Sequence, residues 1–140
     1  MKVLSGGEAF KRLEGAIEED VQAEERGVAL TVAAVFRAES CARLDFSGTE
    51  HVEAGRNELA REKRDASDER GWWLLELGSY LVQLNEAILL QAGTIGFLSP
   101  HPRLLEAGAS HPPLCLPGGR QPHAPVLPLQ VGDRGLALEE

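Results

Sequence analysis

The sequence predicts a mainly β domain, barrel-like or jelly-roll-like, with a short helix ahead of the strands. Three observations lead there. A helical apolar period opens the chain. After it, short alternating runs recur with turn residues every eight to twelve positions, the texture of closed or doubled β architectures. All eight prolines then fall between Pro100 and Pro128, a stretch that cannot hold a long helix or a central strand.

Taken in order, Ser5 and Glu8 have capping-box spacing, which predicts a helix start. Phe10, Leu13, Ile17 and Val21 then recur at helical intervals, with Glu18, Glu19, Glu24 and Glu25 turned to solvent and Gly27 ending the pattern. Residues 1–26 are thus expected as a helical preface. Val28 to Phe36 switches to a β period with apolar residues on both faces, the pattern of a doubly buried strand. Ala42 to Phe46 predicts a second short strand. Residues 47–71 are dense in charge and predict a mobile surface excursion with part-helical character. Trp72–Glu76, Tyr80–Asn85, Ala87–Leu90 and Ile95–Leu98 read as further strands, with Gly78 as a break and Ala92-Gly93 as a turn. Residues 99–128 form a proline-rich loop region. Val126–Val131 reads as an edge strand interrupted by Pro128, and Leu136–Leu138 begins a last one after the Gly132–Gly135 turn.

The bulk numbers narrow the function classes. The 140 residues fit one domain spanning 1–140, long enough for one real core. The net charge of -8 repels nucleic acid backbone and anionic membranes, so neither is an expected partner. Apolar runs such as Trp72–Leu75 fall far short of the roughly 20 residues of a membrane span. The opening MKVLSGGEAFKRLEG has no apolar h-region, so the expected location is the cytoplasm, with Cys41 and Cys115 as free thiols.

Several phrases in order carry a family likeness. They are Gly27-Val28-Ala29-Leu30-Thr31-Val32, then Arg43-Leu44-Asp45-Phe46, then Leu77-Gly78-Ser79-Tyr80-Leu81-Val82 with Leu84-Asn85-Glu86. Gly96-Phe97-Leu98 follows, running into Leu104-Leu105 and Gly108-Ala109. Together they resemble the dUTPase/dCTP-deaminase superfamily, particularly its short archaeal-type branch, over most of the chain. The resemblance implies a dUTPase-like β-barrel (β-clip) assembling as a homotrimer with active sites between subunits. It implies pyrimidine deoxynucleoside triphosphates as ligands, with Mg²⁺ as a cofactor only when such a triphosphate is bound.

The family's motif residues are mostly replaced. Its first motif, Gly-Val-Asp-Leu, carries an aspartate at the metal-triphosphate end; here that position is Ala29, whose methyl group can neither coordinate nor hydrogen-bond. Its Pro-Arg-Ser-Ser-Leu motif binds phosphates through charge-assisted hydrogen bonds. The match here is Pro100-His101-Pro102-Arg103-Leu104, and Pro102 also removes a backbone donor. Its third motif places a water-activating carboxylate before a glycine-rich turn. Here Gly118 and Gly119 survive, and Leu114-Cys115-Leu116-Pro117 supplies no carboxylate. The family's closing strand and arm have no counterpart in the sequence up to Glu140. No catalytic residue is assigned; His101, Arg103 and Arg120 are the candidate substrate-binding residues.

A general base and charge neutralisation on the leaving phosphate both lack a clear occupant. The expectation is a dUTPase-like protein of pyrimidine deoxynucleotide metabolism, catalytically degenerate, with a nucleotide-binding, regulatory or vestigial role. Two alternatives stand beside it. One is an active dUTP diphosphatase releasing dUMP and pyrophosphate from a rearranged site in which Arg103 and Arg120 handle phosphates. The other is a structural partner subunit of an active homologue. His101, His111, His123 and Cys115 match no closed zinc spacing and are expected as loop residues, so no metal site is assigned. Asn85-Glu86 is expected to fix a strand end, and Trp72-Trp73 to put one indole on each face of a strand.

Overall fold

A computed structural model describes residues 2–25, 27–119 and 121–140. Helix α1 (Gly6–Phe10) leads into β1 (Leu13–Glu14), α2 (Glu19–Gln22), β2 (Ala23–Glu24) and β3 (Gly27–Val28). The long strand β4 (Val32–Ala38) follows, then β5 (Arg56–Glu58), β6 (Trp72–Leu75), β7 (Gly78–Leu84), β8 (Ala87–Ile88) and β9 (Ile95–Leu98). Helix α3 (Pro102–Glu106), β10 (Ala109–Ser110), β11 (Leu114–Pro117), β12 (Val126–Val131) and β13 (Leu136–Glu139) complete the order. The architecture is mainly β, as the alternating runs predict.

One five-stranded sheet, in the order β10-β12-β7-β4-β5, carries the core. Strand β7 lies at its centre because Tyr80 and Val82 are apolar on one face while Ser79 and Gln83 meet solvent on the other. It pairs antiparallel with β12 from Gly78↔Val131 to Gln83↔Val126, and with β4 across a bulge between Val32 and Ala34. Val35, Trp73, Leu75, Tyr80, Leu127, Leu129 and Val131 form the buried cluster. Burying a side chain as completely as Val35, at 0% exposure, contributes about 1.5–3 kcal/mol. The other strands make two-stranded ribbons, β6 with β13, β9 with β11, β1 with β8 and β2 with β3. Among the described residues these sheets do not close into a barrel.

Several expectations need correction. The N-terminal helix stops at Phe10, because Gly15 turns the chain at φ +78° and β1 pairs with β8 instead. Ile17 and Val21 are consequently 57% and 70% exposed rather than packed on a helical face. The strand expected from Val28 begins at Val32, since the backbone of Ala29 bonds Gln22 and that of Thr31 bonds Glu86. Ala42–Phe46 is no strand. Only Arg43 bridges to Val52, and Leu44 and Phe46 point outward at 80% and 110% exposure. The 47–71 excursion contains β5 and no helix. Gly78 opens β7 rather than breaking it. Strand β12 lies inside the sheet rather than at its edge, yet β10 pairs only with Gln130 and Val131. Pro128 therefore sits where β12 has a neighbour on one side alone, which is where a missing N–H is tolerated.

Candidate functional site

The segment from Gln22 to Val32 is fastened by a buried polar cluster. Glu86, 1% exposed, accepts from Gln22 Nε2 at 2.6 Å, from Thr31 Oγ1 at 2.7 Å and from the Thr31 N–H at 3.0 and 3.2 Å. Gln22, 3% exposed, uses its whole amide. Its Oε1 accepts from the Ile17 and Glu18 N–H groups, and its Nε2 also donates to the Ala29 carbonyl at 3.0 Å. Asn85 Nδ2 donates to Thr31 Oγ1 at 2.9 Å. The strand-end role expected for Asn85-Glu86 is thus extended to a tie on the N-terminal segment. A buried carboxylate is tolerated when its lone pairs are filled in this way.

The segment also borders a cavity of about 610 Å³. It is lined by Val82, Leu127 and Leu129 of the sheet, by Val28 and Leu30 of the segment, and by Leu136 and Leu138. Ala29, His101, Pro102 and Arg103 line it as well, so two of the motif positions, far apart in sequence, meet at one site. Gly118 and Gly119 lie elsewhere. Their N–H groups close a turn onto the Thr94 and Leu90 carbonyls at 2.8 and 3.0 Å, and a Cβ on Gly118 would stand 1.9 Å from the Gln91 carbonyl oxygen. Arg120 falls outside the described residues.

The polar groups of the cavity are few. His101 caps α3. Its Nδ1 accepts the Arg103 N–H at 3.2 Å, which leaves the proton on Nε2 to donate to Glu24 Oε1 at 2.9 Å. Glu24 is the one carboxylate lining the cavity among the described residues, and His101 engages it. Nothing in the spacing of Glu24 and His101 announces this pair, and sequence reasoning missed it. The Arg103 side chain is exposed and makes no ion pair among the described residues. Mg²⁺ on a triphosphate calls for oxygen ligands. Ala29 offers no side-chain oxygen, its carbonyl accepts from Gln22 and an oxygen of Glu24 is already engaged, so these residues do not fit the metal.

The remaining candidates separate. His111 also borders the cavity, with Nδ1 2.9 Å from the Pro112 carbonyl, whereas His123 Nε2 sits 2.6 Å from the Pro117 carbonyl. Cys41 and Cys115 are exposed free thiols. No group of three His, Cys, Asp or Glu side chains able to hold a metal occurs among the described residues. Trp73 is buried and donates through Nε1 to the Leu59 carbonyl at 3.1 Å. Trp72 is half-buried on the opposite face, with the Arg64 guanidinium 4.1 Å from its ring centre. No helix among the described residues is long and apolar enough to cross a membrane.

A probable deoxyuridine 5'-triphosphate nucleotidohydrolase of Archaeoglobus fulgidus is 30% identical to this chain over 116 residues. The match covers 79% of the chain and 64% of that protein, so the chain spans less than two thirds of the relative's length. This supports a dUTPase-like relationship. The mainly β architecture is consistent with such a fold. No family model matches the chain.

Proposed function

We propose that the protein is a dUTPase-like protein of pyrimidine deoxynucleotide metabolism that does not hydrolyse nucleoside triphosphates. One observation carries the reading. At the cavity where Ala29 meets His101-Pro102-Arg103, the lone lining carboxylate among the described residues is hydrogen-bonded to an imidazole and the walls are aliphatic. An in-line hydrolysis needs a base on water and cations on the leaving phosphate. The cavity provides one guanidinium, Arg103; its one carboxylate is engaged by His101, and His111, bonded through Nδ1 to the Pro112 carbonyl, is the remaining imidazole. A cytoplasmic homotrimer is part of the same proposal. Leu74, Leu77 and Ile95, at 61%, 67% and 62% exposure, are apolar surface that such an assembly would cover. The test is turnover of dUTP and dCTP with Mg²⁺, alongside light scattering. The expected result is no dUMP or pyrophosphate above the blank and a trimer mass. Release of dUMP and pyrophosphate that disappears in Arg103→Ala would overturn the reading.

A further inference from the structure

We propose that the cavity beside Ala29 binds a small amphipathic monoanion, an aliphatic body of medium chain length ending in a carboxylate. The inference rests on the reading that this site does not process triphosphates, and it names what the site accepts instead. The first argument is size. About 610 Å³ lies within the range of roughly 300–1,000 Å³ typical of small-molecule sites. The second is the wall. Val82, Leu127, Leu129, Val28, Leu30 and Leu138 line the cavity, so the wall rewards aliphatic surface more than polyphosphate.

The third argument is charge. In a protein of net charge -8, the lining group free to meet an anion is Arg103. Glu24 is held on His101 through Oε1 and Nε2 and makes no ion pair with Arg103 among the described residues. His111 is turned to the Pro112 carbonyl. A guanidinium pairs with a carboxylate by two parallel hydrogen bonds, and one such head fits one arginine. A triphosphate would bring several charges to the same single cation. The geometry therefore favours one anionic head on Arg103 and a tail along the leucine and valine walls.

The experiment uses the full chain in whatever assembly it forms. Displacement of fluorescent anilinonaphthalene sulfonate by decanoate reports occupancy, with decylamine, decanol and dUTP as comparison ligands. Decanoate is expected to displace the dye better than decylamine. Arg103→Gln should weaken decanoate roughly tenfold, as loss of a charge-assisted pair does, and leave decanol unchanged. Ala29→Asp, which adds a like charge to the wall, should also weaken decanoate more than decanol. Equal displacement by decanoate and decylamine, or dUTP outcompeting decanoate, would overturn the proposal. So would failure of decanoate to bind a folded protein, including one whose cavity a second copy covers. Turnover of dUTP in the same samples would instead defeat the non-hydrolytic reading, so the two failures are told apart.

Discussion

The polar cluster around Glu86 and the cavity around Ala29 share one segment, residues 22–32, and they differ in how completely their chemistry is matched. Around Glu86 the Gln22 amide, the Thr31 hydroxyl and N–H and the carboxylate satisfy one another. Around the cavity, an aliphatic wall meets an unpaired guanidinium and an imidazole–carboxylate pair. The polar cluster is closed and self-sufficient; the cavity has spare space and few polar groups. A scaffold can therefore stay well determined while the chemistry beside it is free to vary.

Removing the acceptor from the closed side is the largest expected perturbation. Glu86→Ala strands one hydrogen of Gln22 Nε2 and both donors of Thr31, and each buried unpaired donor costs about 1–3 kcal/mol. The sum is about 3 kcal/mol or more, a fall in Tm of about 10 °C for a chain of this length. Calorimetry checks it, and a fall of only a degree or two would mean the cluster is not the fastening we describe. Glu86→Gln keeps the shape and one acceptor, so its loss should be smaller.

Truncating leucines on the two sides sharpens the contrast. Leu75, 3% exposed, packs in the core cluster and does not line the cavity, and Leu75→Ala should cost about 3 kcal/mol. Leu84 borders the cavity, so Leu84→Ala adds to space that is already open and should cost about half as much. Denaturant midpoints at constant m-value read the difference. Equal costs would show that the cavity wall is packed as tightly as the core.

What the sequence disclosed follows from which interactions are local. Strand β7 is legible because Tyr80 and Val82 face inward in strict alternation, and the start of α1 because Ser5 and Glu8 satisfy each other across one turn. The reading of Phe10 to Val21 as one helix failed because a non-local partner, β8, claims the backbone of Leu13 and Glu14, and periodicity carries no trace of that. Pro128 misled for a related reason, since whether β12 is an edge depends on how far the two residues of β10 reach. At the site, the likeness to a known family pointed to Ala29 and His101-Pro102-Arg103, which do meet. It also pointed to Gly118 and Gly119, which close a separate turn. The Glu24–His101 pair joins two segments with no spacing rule between them, so only the folded chain reveals it.

Placing a carboxylate at position 29 probes the open side directly. Ala29→Asp supplies the residue type of the family's first motif, yet Arg103 remains the lone guanidinium among the lining residues and the other lining carboxylate, Glu24, is engaged by His101. Turnover of dUTP with Mg²⁺ should stay at the blank. Stability should drop by about 1 kcal/mol, because the new charge faces an apolar, half-enclosed wall. Gain of hydrolysis from this one change would show that the deficit is confined to a single position.

The smallest expected effect lies at the N-terminus and is visible through its pH dependence. Glu8 accepts from Lys2 Nζ at 2.8 Å and from the Ser5 N–H at 3.0 Å. The Lys2 hydrogen bond chiefly, with the Ser5 N–H second, lowers its pKa from 4.5 to about 2. A carboxylate whose folded pKa is depressed contributes stability that is complete above its unfolded value. That contribution is lost as pH falls through the folded one. Glu8→Gln keeps an acceptor for the Ser5 N–H and loses the charge that holds Lys2. Wild type should therefore protect the α1 amides against hydrogen exchange slightly better than the variant at pH 7. The gap should close between pH 4.5 and 2, and it should shrink in salt because both partners are solvent-exposed. A gap that persists unchanged at pH 2 would show that it does not come from the charge on Glu8.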